Sequence, residues 1–206
     1  MALVVITGGA RSGKSTAAEQ LALEQQRTGA RVTVAVFGHS ADGDDSEYEE
    51  RISRHRGRRP TSFATAEYSG PVAWGEMVAT ADLLLLDCLG TMLGRVMEEE
   101  WEPLAPAESL RDADAEQLPD GFEVACTERL DTIVAELVAR TGDTIIVTNE
   151  VGEGVVPAFA SGRLFRDLLG RANRTLVDRA EAAYLTVAGR LVDLSSLPRS
   201  ASWPGD

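Results

Sequence analysis

Lysine is almost missing from this chain: among its 20 lysine and arginine residues, Lys14 is the only lysine. Positive charge is scarce as a whole, because 33 acidic residues leave a formal net charge of −13. That balance excludes non-specific nucleic-acid binding and docking on an anionic membrane, both of which need a basic face. It leaves room for a locally basic pocket. Cysteine is nearly absent, and Cys88 and Cys126 are too few and too far apart for a metal-ligand cluster or a disulfide framework. They read as buried thiols of a protein in a reducing cytoplasm. No apolar run approaches the roughly 20 residues of a membrane span. Residues 2–7 are too short for the apolar core of a signal peptide and run straight into glycines, so no leader is expected.

What the chain does have stands at its start. A short apolar run, Leu3-Val4-Val5-Ile6, leads through Thr7 into Gly8-Gly9-Ala10-Arg11-Ser12-Gly13-Lys14-Ser15. A glycine, four free positions and Gly-Lys-Ser, placed between a strand and a helix, is the phosphate-binding loop pattern. Glycines let successive N–H groups turn inward as a nest for phosphate oxygens, and the following helix presents its positive end to the same anion. Lys14 can reach the terminal phosphates, and the Ser15 hydroxyl can ligate the accompanying Mg²⁺. A glycine-rich turn that binds nothing is the plain alternative. The lone lysine argues against it, since a compact ammonium fits where a guanidinium fork does not. The chain is expected to bind a nucleoside triphosphate.

Downstream, residues 16–28 read as a helix closed by Gly29, and Val32–Phe37 as a second strand. Gly38 and His39 follow it near the nucleotide edge, His39 either lining a purine pocket or standing incidentally in a loop. Residues 42–50 are strongly acidic, and residues 51–59 carry Arg51, Arg54, Arg56, Arg58 and Arg59 with His55. A solvated helix with pairs such as Glu47–Arg51 explains the first half. Gly57 and Pro60 break such a helix and leave Arg56, Arg58 and Arg59 as candidates for a second phosphate-binding surface. Leu83–Asp87 is an apolar strand ending in an acid, the form of a Walker B segment with Asp87 holding Mg²⁺ directly or through water. Residues 98–122 read as an exposed acidic connection and 123–140 as an amphipathic helix. Thr144–Thr148 is a strand followed by the polar loop Asn149–Gly154, at the sheet edge where parallel α/β folds bind ligands. A helix over Arg163–Ala180, a hairpin of Tyr184–Val187 with Leu191–Leu194, and a loose tail over 195–206 complete the chain. Strand and helix alternate, so the expected fold is a three-layer α/β domain with a mainly parallel sheet and a C-terminal hairpin, spanning residues 1–194 as one unit.

With these residues assembled, the chain resembles the bifunctional adenosylcobinamide kinase / adenosylcobinamide-phosphate guanylyltransferase family of cobalamin biosynthesis, over roughly residues 3–193. The resemblance rests on the Gly8–Ser15 loop, on Arg51-Ile52-x-x-His55 with Arg59-Pro60, on the Leu83–Leu89 stretch with Asp87 and Cys88, and on two linked runs. These are Thr148-Asn149-Glu150-Val151-Gly152-x-Gly154-Val155-Val156-Pro157 and Arg163-x-Phe165-Arg166-Asp167-x-x-Gly170-x-x-Asn173. Thr65 and Glu67 match a further short segment. The sequence departs from the family where Val36-Phe37-Gly38-His39 replaces an Ala-Thr pair, at Phe63, usually tryptophan, and in the helix after the third strand, where Gly94-Arg95 stand in the neighbourhood of a usual asparagine.

The resemblance implies a RecA-like sheet, a homotrimer and two reactions. ATP or GTP phosphorylates the aminopropanol hydroxyl of adenosylcobinamide. GTP then guanylylates His55, which passes GMP to the phosphorylated corrinoid. A neutral imidazole is a competent nucleophile for such a step, and Arg56, Arg58 and Arg59 supply cations around the departing pyrophosphate. The expected nucleotide contacts are therefore Gly8, Gly9, Ala10, Arg11, Ser12, Gly13, Lys14, Ser15, Gly38, His39, Arg56, Arg58, Arg59, Glu67 and Asp87, with Mg²⁺ on Ser15 and Asp87. Two other functions fit the loop alone: a nucleotide-dependent binding module, and a small-molecule kinase that ignores His55.

Overall fold

The apolar run after Met1 becomes the strand β1, Leu3–Gly8, in a computed structural model that describes residues 1–37, 60–68, 74–75, 81–104 and 117–201. The other strands are β2 (Val32–Val36), β3 (Ala64–Glu67), β4 (Leu83–Asp87), β5 (Asp143–Val147), β6 (Ala182–Val187) and β7 (Arg190–Asp193). They form one seven-stranded sheet in the order β3-β2-β4-β5-β1-β6-β7. Every neighbouring pair is parallel except the closing hairpin β6–β7.

Why the central strands are continuously apolar follows from their two covered faces. In β4, Leu84 and Leu86 join the cluster beneath α2 (Leu89–Trp101), α3 (Phe122–Ala139) and α4 (Ala160–Arg179). Leu83 and Leu85 point the other way, into the cluster that includes Ala18 and Ala22 of α1 (Lys14–Arg27). Alternate residues of one strand thus serve opposite layers. The expected three-layer α/β architecture, mainly parallel with a C-terminal hairpin, is the one observed.

Two features were not expected: the full length of helix α2 and the presence of strand β3. Helix α2 carries Leu89, Met92, Leu93 and Val96, all buried, at helical spacing. It extends to Trp101, so residues 98–101 belong to a helix and not to the acidic connection. Trp101 meets the Phe122 ring edge-on at 4.9 Å. The Glu98 and Glu99 carboxylates that suggested a loop instead lie one turn from Arg95, Glu98 at 2.8 Å. Strand β3 is the other addition, an exposed edge segment held by β2.

At the end of the sheet where β4 and β5 begin, Arg140 is buried and donates to the carbonyls of Ala81 and Asp143. Its work is to tie those strands together, far from the phosphate loop. Past the hairpin, Ser195 Oγ accepts from Ala183 N at 2.8 Å, and Arg199 donates to the Asp178 carbonyl at 3.3 Å.

Candidate functional site

Parallel strands put all their C-terminal ends on one edge, and β1 delivers the glycine-rich loop there. Gly8 sits at φ 148° and Gly13 at φ 106°, both in the region that favours glycine. Space makes the same demand. A Cβ on Gly8 would come within 2.4 Å of the Thr186 carbonyl, and one on Gly13 within 3.3 Å of Gly189 Cα. The loop therefore rests on the β6–β7 hairpin, whose Gly189 N donates to Ser12 O at 2.8 Å. Gly13 then caps α1, whose first residues are Lys14 and Ser15.

Lys14 is buried, and its Nζ donates to the carbonyls of Gly8 at 2.8 Å and Gly9 at 2.6 Å. The ammonium is thus held within its own loop, close to the N–H groups that would receive a phosphate. Ser12 Oγ is buried in the same loop without a hydrogen-bond partner. A buried hydroxyl left over in this loop suits an incoming phosphate oxygen.

β4 brings Asp87 to this edge. Its Oδ1 accepts from Ser15 Oγ at 3.2 Å, across 72 residues of sequence. A hydroxyl and a carboxylate oxygen converging at one point are hard oxygen donors of the kind Mg²⁺ takes, the remaining positions going to phosphates and water. The residues present fit that ion. Among the described residues there is no group of three or more His, Cys, Asp or Glu side chains placed to hold a metal. The Asp87–Cys88 peptide bond is cis. Cys88 then caps α2, its backbone N–H donating to Thr91 Oγ1 at 3.2 Å. Both cysteines are free and buried, and burial pushes the Cys126 thiol up to about 12, which leaves it protonated and unreactive at neutral pH.

Gly8, Gly9, Ala10, Arg11, Ser12, Gly13, Lys14, Ser15 and Asp87 are therefore gathered in one place. Glu67 is not among them. It ends β3, and the strand order sets β2, β4 and β5 between it and β1, roughly 19 Å at ordinary strand spacing. The described chain stops at Phe37, just past β2, and resumes at Pro60, ahead of β3. Gly38, His39, His55, Arg56, Arg58 and Arg59 lie outside the described residues.

The site also includes residues that the phosphate-loop pattern does not reveal. β5 runs between β1 and β4, so Thr148, Asn149 and Glu150 emerge between the loop and Asp87. Asn173 of α4 holds them. Its Oδ1 accepts from Thr148 Oγ1 at 2.6 Å, and its Nδ2 donates to the Asn149 carbonyl at 2.9 Å. The Glu150 N–H donates to the Gly8 carbonyl at 3.0 Å, joining this strand end to the loop. Nothing local marks Asn173 as a partner of Thr148, although Asn149–Gly154 was visible as a polar loop at the ligand edge. Replacing Asn173 with Ala strands a buried hydroxyl and a carbonyl. The expected cost is about 1–3 kcal/mol, read as a lower denaturant midpoint at unchanged slope.

The chain matches the protein family described as cobinamide kinase / cobinamide phosphate guanyltransferase over residues 4–194. It is 30% identical over 202 residues to the bifunctional adenosylcobalamin biosynthesis protein CobU of Salmonella typhimurium, covering 91% of this chain and 96% of that one. It is 32% identical over 198 residues to the corresponding CobP of Pseudomonas aeruginosa, covering 94% and 98%. A solved KaiC-like protein from Pyrococcus horikoshii OT3 matches with a TM-score of 0.42 at 12% identity, over 89% of this chain and 70% of that one.

Proposed function

The chain belongs to the cobinamide kinase / cobinamide phosphate guanyltransferase family, and on that premise we propose that it catalyses both reactions of the family name in assembling the nucleotide loop of cobalamin. First it transfers the terminal phosphate of ATP or GTP to the hydroxyl of the aminopropanol arm of adenosylcobinamide. Then it transfers GMP from GTP to that phosphate, giving adenosylcobinamide-GDP. The observation that carries the first step is the Gly8–Ser15 loop with Asp87 Oδ1 hydrogen-bonded to Ser15 Oγ. The match over residues 4–194 carries the choice of substrate.

In the kinase step the loop N–H groups receive the phosphates, and the Lys14 ammonium exchanges its loop carbonyls for phosphate oxygens. Ser15 and Asp87 would hold Mg²⁺, which neutralises charge on the β- and γ-phosphates when bound. In the second step a ring nitrogen of His55 attacks the α-phosphorus of GTP. An N–P bond forms, the bond to pyrophosphate breaks, and Arg56, Arg58 and Arg59 balance the charge of the leaving group. A phosphate oxygen of the corrinoid then takes GMP and frees His55. Glu67, at the far side of the sheet edge, belongs with this second nucleotide position. Residues 1–194 act as one catalytic unit, in a cytoplasmic homotrimer.

Incubation with Mg²⁺, GTP and adenosylcobinamide, followed by mass spectrometry of the corrinoid, tests this reading. The expected products carry first one added phosphate and then GMP in diphosphate linkage. A corrinoid recovered unchanged, with nucleotide bound to the protein, would favour the nucleotide-dependent binding module instead. Conversion that stops at the phosphate would favour a single-activity kinase.

A further inference from the structure

Transfer of a phosphoryl group to an alcohol releases the hydroxyl proton, which a positioned base has to accept. Asp87 is engaged with Ser15 Oγ and with the cation site. Glu150 is differently placed. Its backbone N–H and the Lys14 ammonium donate to the same oxygen, the Gly8 carbonyl, at 3.0 and 2.8 Å. The residue thereby stands beside the group that reaches the terminal phosphate, in the segment that follows β5 between the loop and Asp87.

Its carboxylate is also held. Oε1 accepts the Gly152 N–H at 3.0 Å, which leaves Oε2 for another partner. The backbone on either side is pinned, Asn149 O by Asn173 Nδ2 at 2.9 Å and Glu150 N by Gly8 O. The residue is half-buried, and its carboxylate meets Gly152 N at the exposed side of the loop. Glu153, the other acid of this loop, is exposed and has no such tie to Gly8.

We propose that Glu150 is the general base of the kinase step, an assignment that rests on the kinase reading above. Glu150 Oε2 takes the proton of the substrate hydroxyl as its oxygen bonds to the γ-phosphorus. The bond from that phosphorus to the bridging oxygen breaks, the nucleoside diphosphate leaves, and the proton passes from Glu150 to solvent.

Glu150→Gln is the decisive variant, because the amide oxygen keeps an acceptor for Gly152 N and removes only the basicity. Phosphorylation of adenosylcobinamide is followed at saturating substrate, with nucleotide affinity measured separately. The expected kcat falls a hundredfold or more. The nucleotide Kd stays within about threefold. Glu150→Asp, which retains a shorter base, keeps a kcat reduced but well above that of Glu150→Gln and serves should the Gln variant misfold. A Gln variant within about threefold of the wild-type rate, or one that loses only nucleotide affinity, would overturn the assignment while leaving the kinase intact. A wild-type protein that transfers no phosphate to the corrinoid would overturn the kinase reading and this base with it.

Discussion

Lys14→Ala is expected to lower phosphorylation of adenosylcobinamide by about a hundred- to a thousandfold, the range found when one preorganised charge-stabilising donor is removed. The loss should exceed any loss of stability, and the structure says why. Gly8 O, one of the two carbonyls that Lys14 serves, still accepts the Glu150 N–H after truncation. Gly9, which supplies the other, is exposed and can turn to water. The loop scaffold therefore survives in Lys14→Ala, supported from below by Gly189 N on Ser12 O. Lys14→Arg should restore little. A planar fork of five donors cannot take the place of a point charge held between the Gly8 and Gly9 carbonyls. Steady-state rates with matched thermal unfolding check both statements. An unaffected transfer rate in Lys14→Ala would show that this loop does not serve the kinase step.

The second large effect concerns His55. Wild-type protein incubated with Mg²⁺ and GTP labelled at the α-phosphate should retain label after denaturation, labile to acid and stable to base as a phosphoramidate is. GTP labelled at the γ-phosphate should leave none, because that phosphate departs with pyrophosphate. His55→Ala should lose the adduct entirely. Removing the nucleophile ends a covalent route, whereas removing Arg56, Arg58 or Arg59 only slows it by weakening charge stabilisation. The absence of label from wild-type protein that binds GTP normally would sink the covalent mechanism and leave the kinase half standing. The two variants are complementary: Lys14→Ala interrogates the loop after β1, and His55→Ala a segment elsewhere in the chain.

How much of this was legible beforehand depended on where each signal lay. The loop, the Walker-type strand and the polar run after β5 are contiguous motifs whose residue types state their chemistry, and they were read directly. The last turn of helix α2 was assigned to the exposed connection, because the acids from Glu98 onward suggested a solvated loop. Arg95 and the packing of Trp101 on Phe122 outweigh that repulsion. Strand β3, Ala-Thr-Ala-Glu, has weak β-propensity and exposed side chains, so its state comes from the β2 edge it pairs with.

By itself, the amino-acid order determined the alternation of strand and helix, the mainly parallel sheet and the residues able to face a phosphate. These follow from local periodicity, glycine conformational freedom and the chemistry of single side chains. Only the tertiary structure decided which of those residues meet. It set β5 between β1 and β4, closing Asp87 onto Ser15 and Glu150 onto Gly8. It left Glu67 at the far end of the same edge. Strand order is a property of long-range pairing, set by how whole strands share their buried faces, and no stretch of sequence carries it alone.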